Sequence, residues 1–296
     1  MYFEIKSIEE YIKVISEIKK HENDTPLWFR GQNRSYYDLQ PSLLRYAMQV
    51  ANQFGTPLQI EAPNYYFGHG QIVLVPSIPK LLEKFKNYCI QNKVNIGNPV
   101  NDMEWYFLAQ HYGLPSTLLD WSEDPLIALF FAIHECDYSD PYVNIFVCSP
   151  NNLNYNLTQG LLTQTFSEPI PVTNEFLPFL LKYLSSDDMP VLPICVKPSI
   201  QNYRITRQSG NFIMHGNNFQ PLNIQSFRNF FHQLTIPKNY YSYFEQVLNS
   251  FQLNEYTVYG NKTAIDKEAE KIRNEALALF YNYIKELKNE LMLSSG

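Results

Sequence analysis

This chain carries no sequence mark of a metal site, a redox pair or a membrane anchor. Its four cysteines, Cys89, Cys136, Cys148 and Cys195, lie far apart and form no Cys-x-x-Cys pair, which excludes a zinc ribbon and a dithiol redox motif. The six histidines never show ligand spacing along the chain, so no metal is expected. Lys and Arg form no run, and 23 basic against 29 acidic residues leave a net charge of -6, which argues against general nucleic-acid binding. No apolar run approaches the length of a membrane span. The opening MYFEIKSIEEYIKVISEIKK lacks the basic, apolar and cleavage regions of a signal peptide. A reducing, cytoplasmic setting without membrane contact is the expectation. Also missing are a Gly-rich phosphate loop ending in GK[ST], GxGxxG, HExxH and GxSxG.

What the chain does hold is aromatic and apolar. There are 22 Tyr and 20 Phe among 296 residues, 45% of them hydrophobic, so many tyrosines must be buried with partners for their hydroxyls. Ile5, Ile8, Ile12, Ile15 and Ile18 space an amphipathic first helix that ends near Lys20. LWFRGQ reads as a strand, Leu27–Arg30, closed by a turn. Residues 32–70 show little periodicity and include PSLLR at Pro41–Arg45. A helix is expected over Leu81–Cys89. Another is expected after the cap Asn101, with Glu104 returning a bond and a stop at Gly113. The stretch LPSTLLDWSE reads as a loop leading to Asp124-Pro125, an N-cap with proline at the first helical position. The helix Pro125–His134 is nearly all apolar and belongs in the core. Strands are expected at Val143–Cys148, Val191–Val196 and Phe212–His215, with another within Phe227–Pro237. Further helices are expected at Glu175–Leu184, at Tyr240–Phe251 and, the longest, over 264–287. Strands scattered among helices predict an α+β fold with a mixed or mainly antiparallel sheet flanked by helices. The expected division is a helical extension over 1–22, one domain over 23–260 and a C-terminal helix over 261–296 packed on it.

Three segments hold the candidate chemistry. Arg30 closes an apolar strand, where it either bonds passing carbonyls or grips a ligand, while Gly31 allows a turn or a close backbone approach beside Gln32. His111–Ala132 gathers His111, Tyr112, Ser116, Thr117, Asp120, Trp121, Ser122 and Glu123 between two helices. One reading is structural. Asp120 bonds loop amides, so that its loss costs roughly 1–3 kcal/mol, while Ser122 or Asp124 caps the helix. The other makes the loop and the helix start a polar pocket wall suited to an anion. The third segment, Arg204–Phe212, offers the donors of Arg207 and Gln208 beside Gly210.

These segments together carry a resemblance. FRGQ at Phe29–Gln32, QHYGLPSTLLDWSEDPLIALFFA at Gln110–Ala132 and RITRQSGNF at Arg204–Phe212 resemble the three signature blocks of the FRG domain family, in the same order. Ser116-Thr117 stands where that family usually has Thr-Arg, and Arg207–Gly210 where Gln-Gln-Gly is common. The resemblance implies a setting near phage-defence or mobile-element genes. The order of Arg30, Ser116-Thr117 and Gln208 further resembles the arginine, Ser-Thr and glutamate pattern of ADP-ribosyltransferases. That likeness implies NAD as a possible substrate, gripped by Arg30's planar fork. Catalytic roles then fall to Arg30, Asp120 and Gln208, with Asp120 or Glu123 supplying the charge that an amide lacks. The ligand contacts fall to Arg30, Gly31, Gln32, His111, Tyr112, Ser116, Thr117, Trp121, Arg207 and Gly210. The alternative is a non-catalytic module that binds a ligand or a protein partner. An acid lining the same cleft as Arg30 would favour catalysis, and Gln208 alone would favour binding.

Overall fold

The computed structural model describes residues 1–43, 45, 78–94, 99–159, 164–185, 190, 192–198, 209–216, 221–223 and 227–259, with separate positions between 274 and 289. Its strands are β1 (Tyr2–Glu4), β2 (Trp28–Gln32), β3 (Leu118–Ser122), β4 (Tyr142–Cys148), β5 (Ile170–Pro171), β6 (Ile194–Lys197), β7 (Gly210–Met214) and β8 (His232–Pro237). They form one sheet in the order β1-β8-β4-β2-β3-β7-β6-β5. The pairs at the two edges, β1 with β8 and β5 with β6, are parallel and the inner pairs antiparallel. The fold is therefore α+β, with a mixed, mainly antiparallel sheet flanked by helices.

Alternation along the strands sorts their side chains onto two faces. Val143, Ile145 and Val147 of β4 meet one core cluster, while Phe146 and Cys148 meet another. One face carries two groups of helices. Over the β8–β4–β2 half lie α1 (Ile8–His21), α4 (Pro125–Ile133) and α7 (Tyr241–Ser250), with Tyr11, Ala128, Leu129 and Phe244 buried among them. Over the β3–β7–β6 half lie α2 (Ile78–Gln91) and α3 (Asp102–His111), packing Phe85, Tyr106 and Phe107 against Leu118, Phe212 and Ile194. The opposite face buries Trp28, Leu119, Trp121 and Ile213 beneath α5 (Pro150–Thr158). A short helix, α6 (Leu177–Leu180), and the five-residue α8 (Glu255–Tyr259) also lie among the described residues.

Local chemistry explains the helix ends. Asn101 Oδ1 accepts from Glu104 N–H at 3.0 Å, and Glu104 Oε2 accepts from Val100 N–H at 2.7 Å, one residue before the cap. Helix α3 stops through Gly113, which has φ 89°, as Leu114 N–H donates to Ala109 O at 2.9 Å. Asp124 accepts from Leu126 N–H at 2.8 Å to cap α4 ahead of Pro125, and Tyr11 Oη ties α1 to the Pro125 carbonyl at 2.8 Å.

The structure departs from these expectations at three elements. Leu118–Ser122 is not a loop but strand β3, because Leu119 and Trp121 face one side of the sheet and Leu118 the other. That two-residue period was hidden between stronger helix signals. The chain does not turn after Arg30; β2 continues through Gly31 to Gln32, paired throughout with β4. The first residues are also not all helical: Tyr2–Glu4 pairs with β8, Ile5 is buried outside α1, and Ile12 is 57% exposed. Arg204–Gln208 and most of the expected helix over 264–287 lie outside the described residues.

Gly31 faces the helix covering β2. A Cβ built on it would overlap the Ala128 carbonyl oxygen and come within 2.6 Å of Ala132 N, both backbone atoms of α4. Gly31→Ala should therefore destabilise the fold by about 3 kcal/mol, read from urea unfolding. Adding Ala128→Gly should give no rescue, because trimming a side chain leaves the clashing backbone in place.

Candidate functional site

The cleft lies where the sheet parts. β2 pairs with β4 over five positions but with β3 at only one, Phe29 opposite Ser122. Past that bridge the ladder stops, leaving the Asp120 carbonyl without a partner on β2. Arg30 supplies one instead: its Nη1 donates to Asp120 O at 2.7 Å and lies 3.8 Å from Asp120 Oδ2. A cavity of about 340 Å³ opens here, within the size range of small-ligand pockets. One wall is α3, through Phe107, Gln110 and His111, and the other is formed by Phe131, His134 and Tyr259 from α4 and α8. A second cavity of about 230 Å³ shares Arg30, Arg45, Gln110 and Asp120 with the first.

The charges in the cleft are unevenly solvated. Arg30's side chain is 16% exposed and Asp120's 68%. Burial pulls Arg30 down to about 10; Asp120 opposes that shift, and the Arg45 guanidinium adds to it. Arg30 therefore stays charged at neutral pH. Its Nε and the Gln32 Oε1 are buried without a hydrogen-bond partner among the described residues. Arg45 is positioned by its own segment: Leu43 N–H donates to Ser116 O at 3.1 Å, and the Arg45 guanidinium lies 5.6 Å over the Tyr37 ring. Past β2, Asn33 Nδ2 donates to His134 O at 3.1 Å, and Arg34 Nη1 to Glu135 O at 2.8 Å, satisfying carbonyls at the end of α4.

Of the residues singled out from sequence, Arg30, Gly31, Gln32, His111, Asp120, Trp121, Ser122 and Gly210 border this cleft. Trp121 does so while only 2% exposed, stacked on Phe231 at 5.7 Å. Gly31's close approach is to helix α4 rather than to a turn. Ser116 and Thr117 are fully buried structural groups: Ser116 Oγ donates to Gln110 Oε1 at 2.7 Å, and Thr117 Oγ1 meets Tyr106 Oη at 2.9 Å. Tyr112 packs beside His111 and against the core around α3, and is not among the cleft residues. Asp120 is a strand residue, bonded to the Gln110 amide at 2.8 Å rather than to loop amides. Glu123 pairs with Lys197 at 3.1 Å and accepts from Asn211 at 3.0 Å, outside the cleft lining. Arg207 and Gln208 lie outside the described residues.

Sequence reasoning missed Arg45, Gln110, His134, Glu135, Asn211 and Tyr259 as neighbours of Arg30. Arg45 had a signal as the charged end of PSLLR in an otherwise patternless stretch, and Gln110 and Asn211 lay inside the second and third signature blocks without being singled out. Glu135 has a backbone mark, φ 53° just past α4, where glycine or asparagine is usual.

Compared with known families, residues 25–140 match the FRG domain, and an FRG domain is present over that span. It runs from just before β2 to just before β4, and so includes β3 and α4. Neither a curated protein nor a solved structure matches the chain.

Two outcomes separate the buried polar groups from the exposed ones at the cleft. Thr117→Val removes the hydroxyl that meets the buried Tyr106 Oη, itself pushed up to about 12 by burial, while the bond from Thr117 N–H to that oxygen remains, and should cost roughly 0.5–1.5 kcal/mol in thermal or urea unfolding. Asp120→Ala removes a carboxylate that is 68% exposed, and should change stability by no more than about 1 kcal/mol in the same measurement.

Proposed function

We propose that the cleft beside Arg30 binds a nucleotide-like anion, with NAD the first substrate to test. The observation that carries this reading is the meeting of two guanidinium groups, Arg30 and Arg45, in one cavity, the first of them mostly buried. Like charges brought together at low exposure repel, and a phosphate between them would relieve that repulsion while accepting planar, two-pronged bonds. Two partly exposed aromatic rings in the walls, Phe131 and Tyr259, offer faces for a base.

Asp120 and Glu135 border the same cavity, which favours an enzyme over a passive site. A carboxylate next to the bound ribose could stabilise the positive charge that develops as nicotinamide departs, the step shared by NAD hydrolysis and ADP-ribosyl transfer. Asp120 is the better placed, since Arg30 and Gln110 hold it at the cleft edge. In the phage-defence setting that the FRG resemblance implies, such an activity would consume or redirect a host nucleotide. A second reading, a module that docks a protein partner, is favoured by the exposed Tyr36, which meets Tyr37 edge-on at 5.0 Å beside the cleft residues.

Titration of the purified chain with NAD, ADP and adenosine distinguishes these readings. NAD and ADP should bind more tightly than adenosine, and Arg30→Lys should weaken the phosphorylated ligands by about tenfold or more, equivalent to roughly 1.4 kcal/mol. Adenosine binding should be unaffected by that change. Loss of free nicotinamide release in Asp120→Asn, with NAD binding retained, would identify the catalytic acid. Equal binding of NAD by wild type and Arg30→Lys would remove the anion-site reading.

A further inference from the structure

A side-chain cluster away from the cleft carries chemistry that this reading does not use. His21 ends α1, Glu22 caps it, and His232 begins β8. His232 Nε2 lies 2.8 Å from Glu22 Oε1, and His21 Nδ1 lies 3.2 Å from the same oxygen. The two rings meet edge to face with centroids 5.5 Å apart. One ligand atom from each of the three residues lies within 4.8 Å of the others.

Two imidazole nitrogens and one carboxylate oxygen form a donor set that suits zinc and its neighbours, whereas Mg²⁺ and Ca²⁺ take oxygen. The spacing fits as well, because ligand atoms around a tetrahedral zinc lie roughly 3.3 Å apart, given bonds of about 2.0–2.2 Å. The carboxylate is oriented from behind: Glu22 Oε2 accepts from Asn152 Nδ2 at 2.6 Å, the kind of outer support that metal ligands have. On the other side of the His232 ring, Nδ1 lies 3.3 Å from the Met1 amine nitrogen. Exposure is graded: the side chains of His232 and Glu22 are 3% and 14% exposed and His21 is 60%, so the cluster is closed on the protein side and open to solvent at His21. The only other such group among the described residues, His134, Glu135 and Glu255, offers a single imidazole.

We infer that His21, Glu22 and His232 bind one divalent transition-metal ion of the zinc class, leaving a coordination position open to solvent. The ion joins the end of α1 to the start of β8, two elements 210 residues apart in the chain. It does not depend on the cleft, since β8 is separated from β2 by β4.

The test uses the full chain, stripped with a chelator and titrated with zinc chloride in a calorimeter, then melted with and without the ion. One ion should bind per chain and raise Tm, as any ligand specific to the folded state does. His21→Ala, at a mostly exposed position, should keep the fold and weaken zinc binding tenfold or more. Glu22→Gln should do the same, while His134→Ala should leave binding unchanged. Magnesium chloride in place of zinc should give no saturable signal. The inference is overturned if zinc shows no saturable binding, or if it binds equally well to His21→Ala and Glu22→Gln.

Discussion

Helix α4 packs against β2 so closely that residue 31 has no room for a side chain. The backbone of Ala128 and Ala132 occupies the space a Cβ would need. The rest of the site depends on this contact. It presses a nearly all-apolar helix onto the sheet, with Ile127, Leu129, Phe130 and Ile133 buried around it. The same stretch of chain holds both ends of the arrangement. Phe29 anchors it in the core, and Asn33 and Arg34 bond the carbonyls at the end of α4. The Phe-Arg-Gly motif is thus a strand that seats a helix and turns one arginine toward the break in the sheet.

The cleft follows from how the helices divide one face of that sheet. Those packed around α4 cover one half, and α2 and α3 cover the other. At the seam, β2 and β3 keep a single bridge. A parted ladder exposes backbone polar groups, which are costly to leave unpaired. Arg30 answers that need with the bond to Asp120 O, so one guanidinium both closes a structural gap and lines a cavity. Of the explanations first open for Arg30, the carbonyl partner holds, and the same side chain borders the cavity.

The Ser-Thr pair is different in kind. Its hydroxyls are spent inside the protein, on Gln110 and Tyr106, and they fix the geometry of α3 relative to β3. Their influence on the cleft passes through Gln110, which bonds Ser116 on one side and Asp120 on the other. A hydroxyl motif near a helix start reads equally well as a nucleotide clamp or as internal bracing. Burial decides between them.

The sequence alone determined the elements whose signals are local. Caps at Asn101 and Asp124, the stop at Gly113, the apolar runs of α4 and β4, and the α+β class all follow from backbone satisfaction and side-chain period, which act within a few residues. Arg30 and Asp120 could be singled out for the same reason, as polar groups set into apolar runs. Only the tertiary structure decided that Leu118–Ser122 is a strand, since a strand is completed by partners, here β7, far away in the chain. Only it brought Arg45, His134 and Tyr259 to Arg30, and His21 to His232. Those meetings are set by how strands order in the sheet and how helices divide its face. Such packing joins residues of any separation, and so leaves no spacing to read.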